Sequence, residues 1–152
     1  RAQEGDLVSH HIHTAQELDL ESLRKKVVFW QGDACNLKAH FREYDLIIAT
    51  NLIDRLYDPM LFLEGIEDRL NDEGMLILTS PYTWLVEYTP KEKWLGGYKD
   101  ENGEEVDTLT TLKKILAKKF KFVEALDVPF VIRETPRKFQ HTLSQMSVWK
   151  KR

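Results

Sequence analysis

An α/β fold built on a mainly parallel sheet is predicted by three features of this 152-residue chain. Two short apolar runs, DLIIAT from Asp45 and MLILTS from Met75, have the length and composition of strands buried on both faces, which implies a parallel sheet covered on either side. Between them, residues 59–70 carry Leu61, Leu63, Ile66 and Leu70 at helical spacing, and Asn71-Asp72-Glu73-Gly74 breaks that helix before the second strand. After the last helix, residues 120–132 and 143–149 read as two strands joined by a short basic segment, which predicts an antiparallel pair at the end of the sheet. Ligands of such sheets bind at the carboxyl ends of the strands. Asn51, Asp54 and Arg55 follow the first apolar run, and Ser80, Tyr82 and Trp84 follow the second.

Composition narrows the class. With 42% hydrophobic and 11% aromatic residues the chain can bury a core of one domain. A net charge of −3 carries no basic excess, so nucleic acid is not the expected partner. No apolar run approaches the roughly 20 residues that span a bilayer, and no secretory leader is visible, so no membrane partner is expected. The lone cysteine, Cys35, excludes an internal disulfide and fits a reducing cytoplasm, where a small packing residue is its expected role. The chain begins at Arg1 within a charged run, which leads us to expect that it is cut from something longer.

Along the chain, residues 1–13 read as a polar lead-in whose His10, His11 and His13 lack the fixed element that a metal shell needs. Residues 14–26 read as a short helix, with Thr14 and Glu17 at capping-box spacing and a basic end at Arg24, Lys25 and Lys26. Residues 27–30 read as a strand and 31–37 as the loop leaving it. Strands follow at 44–50 and 75–79. Residues 80–107 form a long irregular stretch holding Trp84, Tyr88, Trp94, Gly96, Gly97 and Tyr98, and a loop of that length is more often a functional lid than a neutral connector. A helix over 108–119 starts after Asp107, and the two closing strands follow.

The strings QGDACNL, NLIDRLYDP, LTSPYTWLVEYTP, WLGG and VPFVIRETPRKFQHTLSQMSVW carry a more specific signal. Over residues 4–149 the chain resembles the C-terminal methyltransferase domain of the bifunctional ovothiol biosynthesis enzymes, a class I S-adenosylmethionine-dependent methyltransferase family. The resemblance implies a Rossmann-like sheet that ends in an antiparallel strand pair. It also implies S-adenosylmethionine as cofactor, a small-molecule acceptor, and methylation of a ring nitrogen of 5-thiohistidine. In such proteins the domain is fused to an iron-dependent sulfoxide synthase region, which is the partner implied here.

Site residues follow from that resemblance position by position. Asp33 and Ala34 fall where a carboxylate accepts the adenine amino group and the next amide meets a ring nitrogen; a solvated turn is the alternative. Asn51 falls where the methionine part of the cofactor lies, or it caps the turn that follows. Tyr82, Trp84, Tyr88 and Trp94 supply aromatic walls for a flat acceptor and a cationic sulfonium, against the alternative of ordinary loop packing. Arg133 and Arg137, with Lys138, would hold a carboxylate or thiolate of the acceptor, and Glu134 its ammonium; a solvated hairpin turn is the alternative. Tyr82 and His141 are the catalytic candidates, His141 as a proton relay. Asp54 and Arg55 read as a surface or intradomain ion pair, and no metal is expected.

One departure matters. A family member opens with a strand and a glycine-rich loop, then a second strand ending in an acidic residue, and none of the seven glycines stands in that setting. Residues 1–152 are therefore expected to be the C-terminal two-thirds of one domain, with an open sheet edge and weak cofactor binding on their own. A methyltransferase for another acceptor, such as a protein histidine, and a non-catalytic methyltransferase-like module remain the alternatives.

Overall fold

The computed structural model describes all of residues 1–152. They divide into two compact units, one of residues 1–31 with 130–142, the other of residues 32–129 with 143–152.

In the first unit, β1 (Ala2–Glu4) and β2 (Leu7–Val8) form a small antiparallel ribbon where the sequence suggested only a loop. The capping box is present: Thr14 N–H donates to Glu17 Oε2 at 3.0 Å, and Glu17 N–H to Thr14 Oγ1 at 3.2 Å. It opens a turn rather than a helix, and only a 3-10 helix, Glu21–Lys26, follows. None of that segment is buried, and a short helix without tertiary packing does not hold. The strand expected over 27–30 is also absent, with Phe29 91% exposed. An extended apolar segment becomes a strand only by joining a ladder.

The second unit carries the predicted α/β plan. Its elements are β3 (Tyr44–Thr50), α1 (Pro59–Gly65), β4 (Leu70–Ser80), a ribbon of β5 (Tyr98–Lys99) and β6 (Glu105–Val106), and α2 (Thr108–Leu116). Two long strands, β7 (Phe120–Arg133) and β8 (Phe139–Lys151), close the chain, and their far ends belong to the first unit. The sheet order is β3-β4-β8-β7. β3 and β4 are parallel, and β8 enters antiparallel to β4, with Leu76 opposite Trp149 and Leu78 opposite Ser147. A turn closed by Glu134 N–H on Lys138 O joins β7 to β8, so the last two strands are antiparallel as predicted.

Local chemistry sets the element ends. Asp58 caps α1 through Met60 N–H at 3.2 Å, Pro59 takes the first helical position, and the helix tightens into a 3-10 turn, Glu67–Arg69. The helix is therefore shorter than its apolar pattern suggested, and Leu61 faces outward at 46% exposure while Phe62, Leu63 and Ile66 are buried. The 71–74 breaker lies inside β4 rather than before it. It forms a bulge: Tyr44 pairs with Leu70 but Leu46 with Met75, and Glu73 takes a φ of 63°. Asn71 Nδ2 fastens the bulge to Asp45 Oδ1 at 2.7 Å.

Ala49, Leu76, Leu78, Phe120 and Trp149 of the sheet pack with Phe62, Leu63 and Ile66 of α1 and with Leu112 and Leu116 of α2. Ala49, Leu76, Leu78 and Trp149 share one face. On the opposite face Leu46 and Ile48 are 48% and 57% exposed, and β3 bonds to no strand but β4. The sheet is thus covered on one face at this edge, where the apolar runs had suggested two.

Candidate functional site

The parallel pair ends at two residues in left-handed backbone. Asn51, after β3, has a φ of 49°, and Tyr82, after β4, has a φ of 53°. Such values are uncommon outside glycine and persist only where surrounding contacts fix them. At Asn51 those contacts are explicit. Its N–H meets Thr79 O at 2.8 Å and Thr79 Oγ1 at 3.0 Å, while Asn51 Oδ1 accepts from Thr79 Oγ1 at 3.1 Å and Ser144 Oγ at 2.7 Å. Two hydroxyls occupying the amide oxygen orient the side chain so that Nδ2, a donor only, is the group left for a ligand.

Tyr82 is held from the other side. Ser80 Oγ accepts the Tyr82 amide at 3.0 Å and donates to Asp54 Oδ1 at 2.8 Å. Asp54 is fully buried and its Oδ2 receives the Thr83 amide and Thr83 Oγ1, both at 3.1 Å, and Arg55 Nη1 at 2.8 Å. Arg55 also reaches Thr83 O and Thr83 Oγ1 at 2.8 Å and lies 5.0 Å from the centre of the Tyr88 ring. The expected ion pair with Arg55 is present and is intradomain, not at the surface: the buried Asp54 fastens the turn after β4 to the turn after β3. Burial, then the Asp107 and Asp54 carboxylates, push the Tyr82 hydroxyl up to about 12. It stays protonated near neutral pH and donates to Gln145 Oε1 at 3.1 Å, an arrangement suited to orienting a ligand and not to accepting its proton.

Asp33 caps a 3-10 turn, Ala34–Asn36, through Cys35 N–H at 2.9 Å, and its Oδ2 accepts from the Tyr57 hydroxyl at 3.1 Å. Each oxygen retains a lone pair, and the Ala34 amide, first in its turn, has no partner within it. Cys35 is buried and donates to Asp58 O at 3.3 Å, the packing role expected of it.

The aromatic lid needs correction. Trp84 is 6% exposed and belongs to the core, its indole N–H donating to Thr108 Oγ1 at 3.0 Å and its ring stacked 6.4 Å from Trp94. It is no substrate wall. Trp94, half-buried, donates to Thr89 O at 2.8 Å and supports Trp84 from behind. Gly96 makes that packing possible, because a Cβ there would run into the backbone of Asp107 and Thr108. In front of this layer, Tyr82, Tyr98, Lys99, Glu105, Asp107 and Thr108 line a cleft of about 430 Å3.

No family model matches the chain, and no curated relative matches it. Solved structures do. A SAM-dependent methyltransferase from Methanosarcina mazei aligns with a TM-score of 0.52 at 17% identity, over 79% of this chain and 65% of its own. A structure solved for the conversion of a disulfide bond into a thioacetal group during echinomycin biosynthesis aligns at 0.57 with 13% identity, over 89% of this chain and 60% of its own. The fold is that of the SAM-dependent methyltransferases. The [4+2]-cyclase SpnF shares it, at 0.50 with 20% identity, over 75% of this chain and 39% of its own. The chain therefore spans about two-thirds or less of these three structures.

Within this methyltransferase fold, the second unit brings Asn51 and Tyr82 to the strand ends and holds Asp33 and Ala34 at the start of their turn. Arg133, Arg137 and His141 belong to the first unit. There Arg133 Nε donates to Thr135 O at 3.3 Å, Arg137 lies 3.8 Å from Glu4, and His141 is exposed on β8. Roles for these three in the methyltransferase fold rest on the family resemblance alone. Ser144, Gln145 and Asp107 are site residues that the sequence did not single out. The partners of Ser144 and Gln145 lie 93 and 63 residues away, beyond the reach of local pattern.

Proposed function

We propose that the chain is the C-terminal two-thirds of a SAM-dependent N-methyltransferase domain whose acceptor is the imidazole ring of 5-thiohistidine, as in ovothiol formation. The observation that supports the cofactor half of this reading is the strand-end amide of Asn51, its oxygen occupied by Thr79 and Ser144 and its Nδ2 a donor; the acceptor half rests on the family resemblance. A donor suits the carboxylate of the cofactor's methionine part. Asp33 and Ala34 offer the acceptor and donor pair that an adenine edge requires. When bound, S-adenosylmethionine supplies an electrophilic methyl group on a sulfonium. The chain's own residues then bind and orient, since a neutral imidazole nitrogen already carries the attacking lone pair and alignment is the main requirement. Tyr82, held neutral, fits a positioning role. The open edge of β3 and the bare face over Leu46 and Ile48 support the reading of residues 1–152 as part of a larger sheet.

Because a cyclase shares the fold, the architecture alone does not fix the reaction. Calorimetry with S-adenosylmethionine on the domain carrying its N-terminal strands, followed by a methylation assay on 5-thiohistidine against histidine, tests it. Cofactor binding with preference for the thiolated ring supports the proposal, and binding without transfer to either ring overturns the acceptor assignment. Asn51→Asp separates the amide's two roles: it keeps the oxygen for Thr79 and Ser144 and removes the donor. We expect roughly tenfold weaker cofactor binding with the fold retained.

A further inference from the structure

The cleft of about 430 Å3 beside Tyr82 has a composition of its own, distinct from the strand-end donors. Tyr82 and Tyr98 of β5 both line it, with Lys99, Glu105, Asp107 and Thr108. Lys99 and Glu105 are partners across the β5–β6 ribbon, so the lining carries one positive side chain against Glu105 and Asp107. Asp107 makes the balance of the lining negative. Its Oδ1 takes the Thr110 amide at 2.8 Å, which answers the positive start of α2, and the carboxylate is exposed where it lines the cleft. The Tyr82 hydroxyl senses the resulting field, because the Asp107 and Asp54 carboxylates both add to the effect of burial in raising it. The Thr110 hydrogen bonds hold Asp107 below the usual carboxylate range, so it stays ionised near neutral pH.

The walls are built rather than incidental. Thr108 is 3% exposed and tied to the buried Trp84 indole, and Gly97, at a φ of 80°, lies against the same ring and donates to Val106 O at 2.8 Å. The ribbon is thereby fixed to the core behind the cleft. A planar group between tyrosine rings and a cation beside a carboxylate are what such walls recognise.

We propose that this cleft is the acceptor pocket and that it takes a small molecule bearing a protonated amine, held by the Asp107 carboxylate beside Tyr82 and Tyr98. The amine site stands on the cleft itself; its assignment to the methyl acceptor rests on the methyltransferase reading. The test uses the full 152-residue chain and two probes with one ring and opposite charge, histamine and imidazole-4-acetate, followed through the amide resonances of Gly97, Tyr98 and Thr108. Histamine is expected to shift these resonances saturably, and imidazole-4-acetate to bind at least about fivefold more weakly, the scale of one partly exposed ion pair. Asp107→Asn retains a good helix cap while removing the charge, and should weaken histamine by a similar factor. Should that variant fail to fold, salt decides on the unaltered chain: histamine affinity must fall as ionic strength rises. Equal binding of the two probes, or histamine binding indifferent to both Asp107→Asn and salt, overturns the proposal. Histamine binding in a domain that carries its N-terminal strands and that calorimetry shows not to take S-adenosylmethionine would retain the amine site and overturn its acceptor role.

Discussion

Asp54 shows how a single carboxylate organises the strand ends. It is fully buried, and Ser80, Thr83 and Arg55 all donate to it, so the turn carrying Tyr82 is fixed by groups drawn from two loops. Removing the acceptor strands the buried Ser80 hydroxyl and frees the part-buried Thr83 and Arg55 donors at once. Asp54→Ala is expected to destabilise the chain by about 3 kcal/mol, read from its urea midpoint, and a loss under about 1 kcal/mol would show that the network carries little energy. Sequence could flag Asp54 as polar and near a strand end. It could not tell a surface pair from a buried hub, because that depends on Ser80 and Thr83, which lie 26 and 29 residues further along.

At the scale of elements, two devices position the cleft and the helix before it. Gly96 lets the chain pass against the start of α2, where a Cβ would come within 2.6 Å of the Asp107 carbonyl carbon. Gly96→Ala is expected to cost about 1–3 kcal/mol and to disturb the Trp84–Thr108 bond, visible as a change in tryptophan emission; an unchanged spectrum and midpoint would contradict the close approach. The start of α1 depends on Asp58, which caps Met60 and pairs with Lys93 at 2.8 Å. The Lys93 ammonium, chiefly, holds the Asp58 carboxyl below its ordinary value of 3.8, so its contribution is present above that value and is lost as pH falls through the lower folded one. Asp58→Asn keeps an oxygen for the cap and removes this pH dependence. The gap between the two proteins' urea midpoints should therefore narrow on acidification below about pH 4, and a constant gap would refute the linkage.

At the scale of the whole molecule, the exposed side of β3 is the dominant feature. Tyr44, Leu46 and Ile48 lie uncovered along a strand whose outer edge bonds to nothing. Such an edge invites pairing between copies. The chain is expected to self-associate at high concentration, and Leu46→Lys with Ile48→Lys to suppress this in sedimentation while leaving the midpoint within about 0.5 kcal/mol of the parent. Association unaffected by both lysines would place the sticky surface elsewhere.

The sequence by itself determined the α/β class, the order of the main strands and helices of residues 44–151, the antiparallel ending and the place of Asn51 and Tyr82 at the strand ends, because apolar periodicity and turn residues act over a few positions. It misjudged residues 1–8, 14–30, Leu61, the 71–74 bulge, Trp84 and the ribbon of β5 and β6 within the stretch read as irregular. In each of these the outcome depends on whether a distant partner is present. Tertiary structure alone decided which face of the sheet is covered, that Trp84 is core and Asp54 a buried hub, that Asn51 presents its nitrogen, and that Asp107 meets Tyr82 across a cleft. Those facts belong to contacts between residues far apart in the chain, and local pattern carries no record of them.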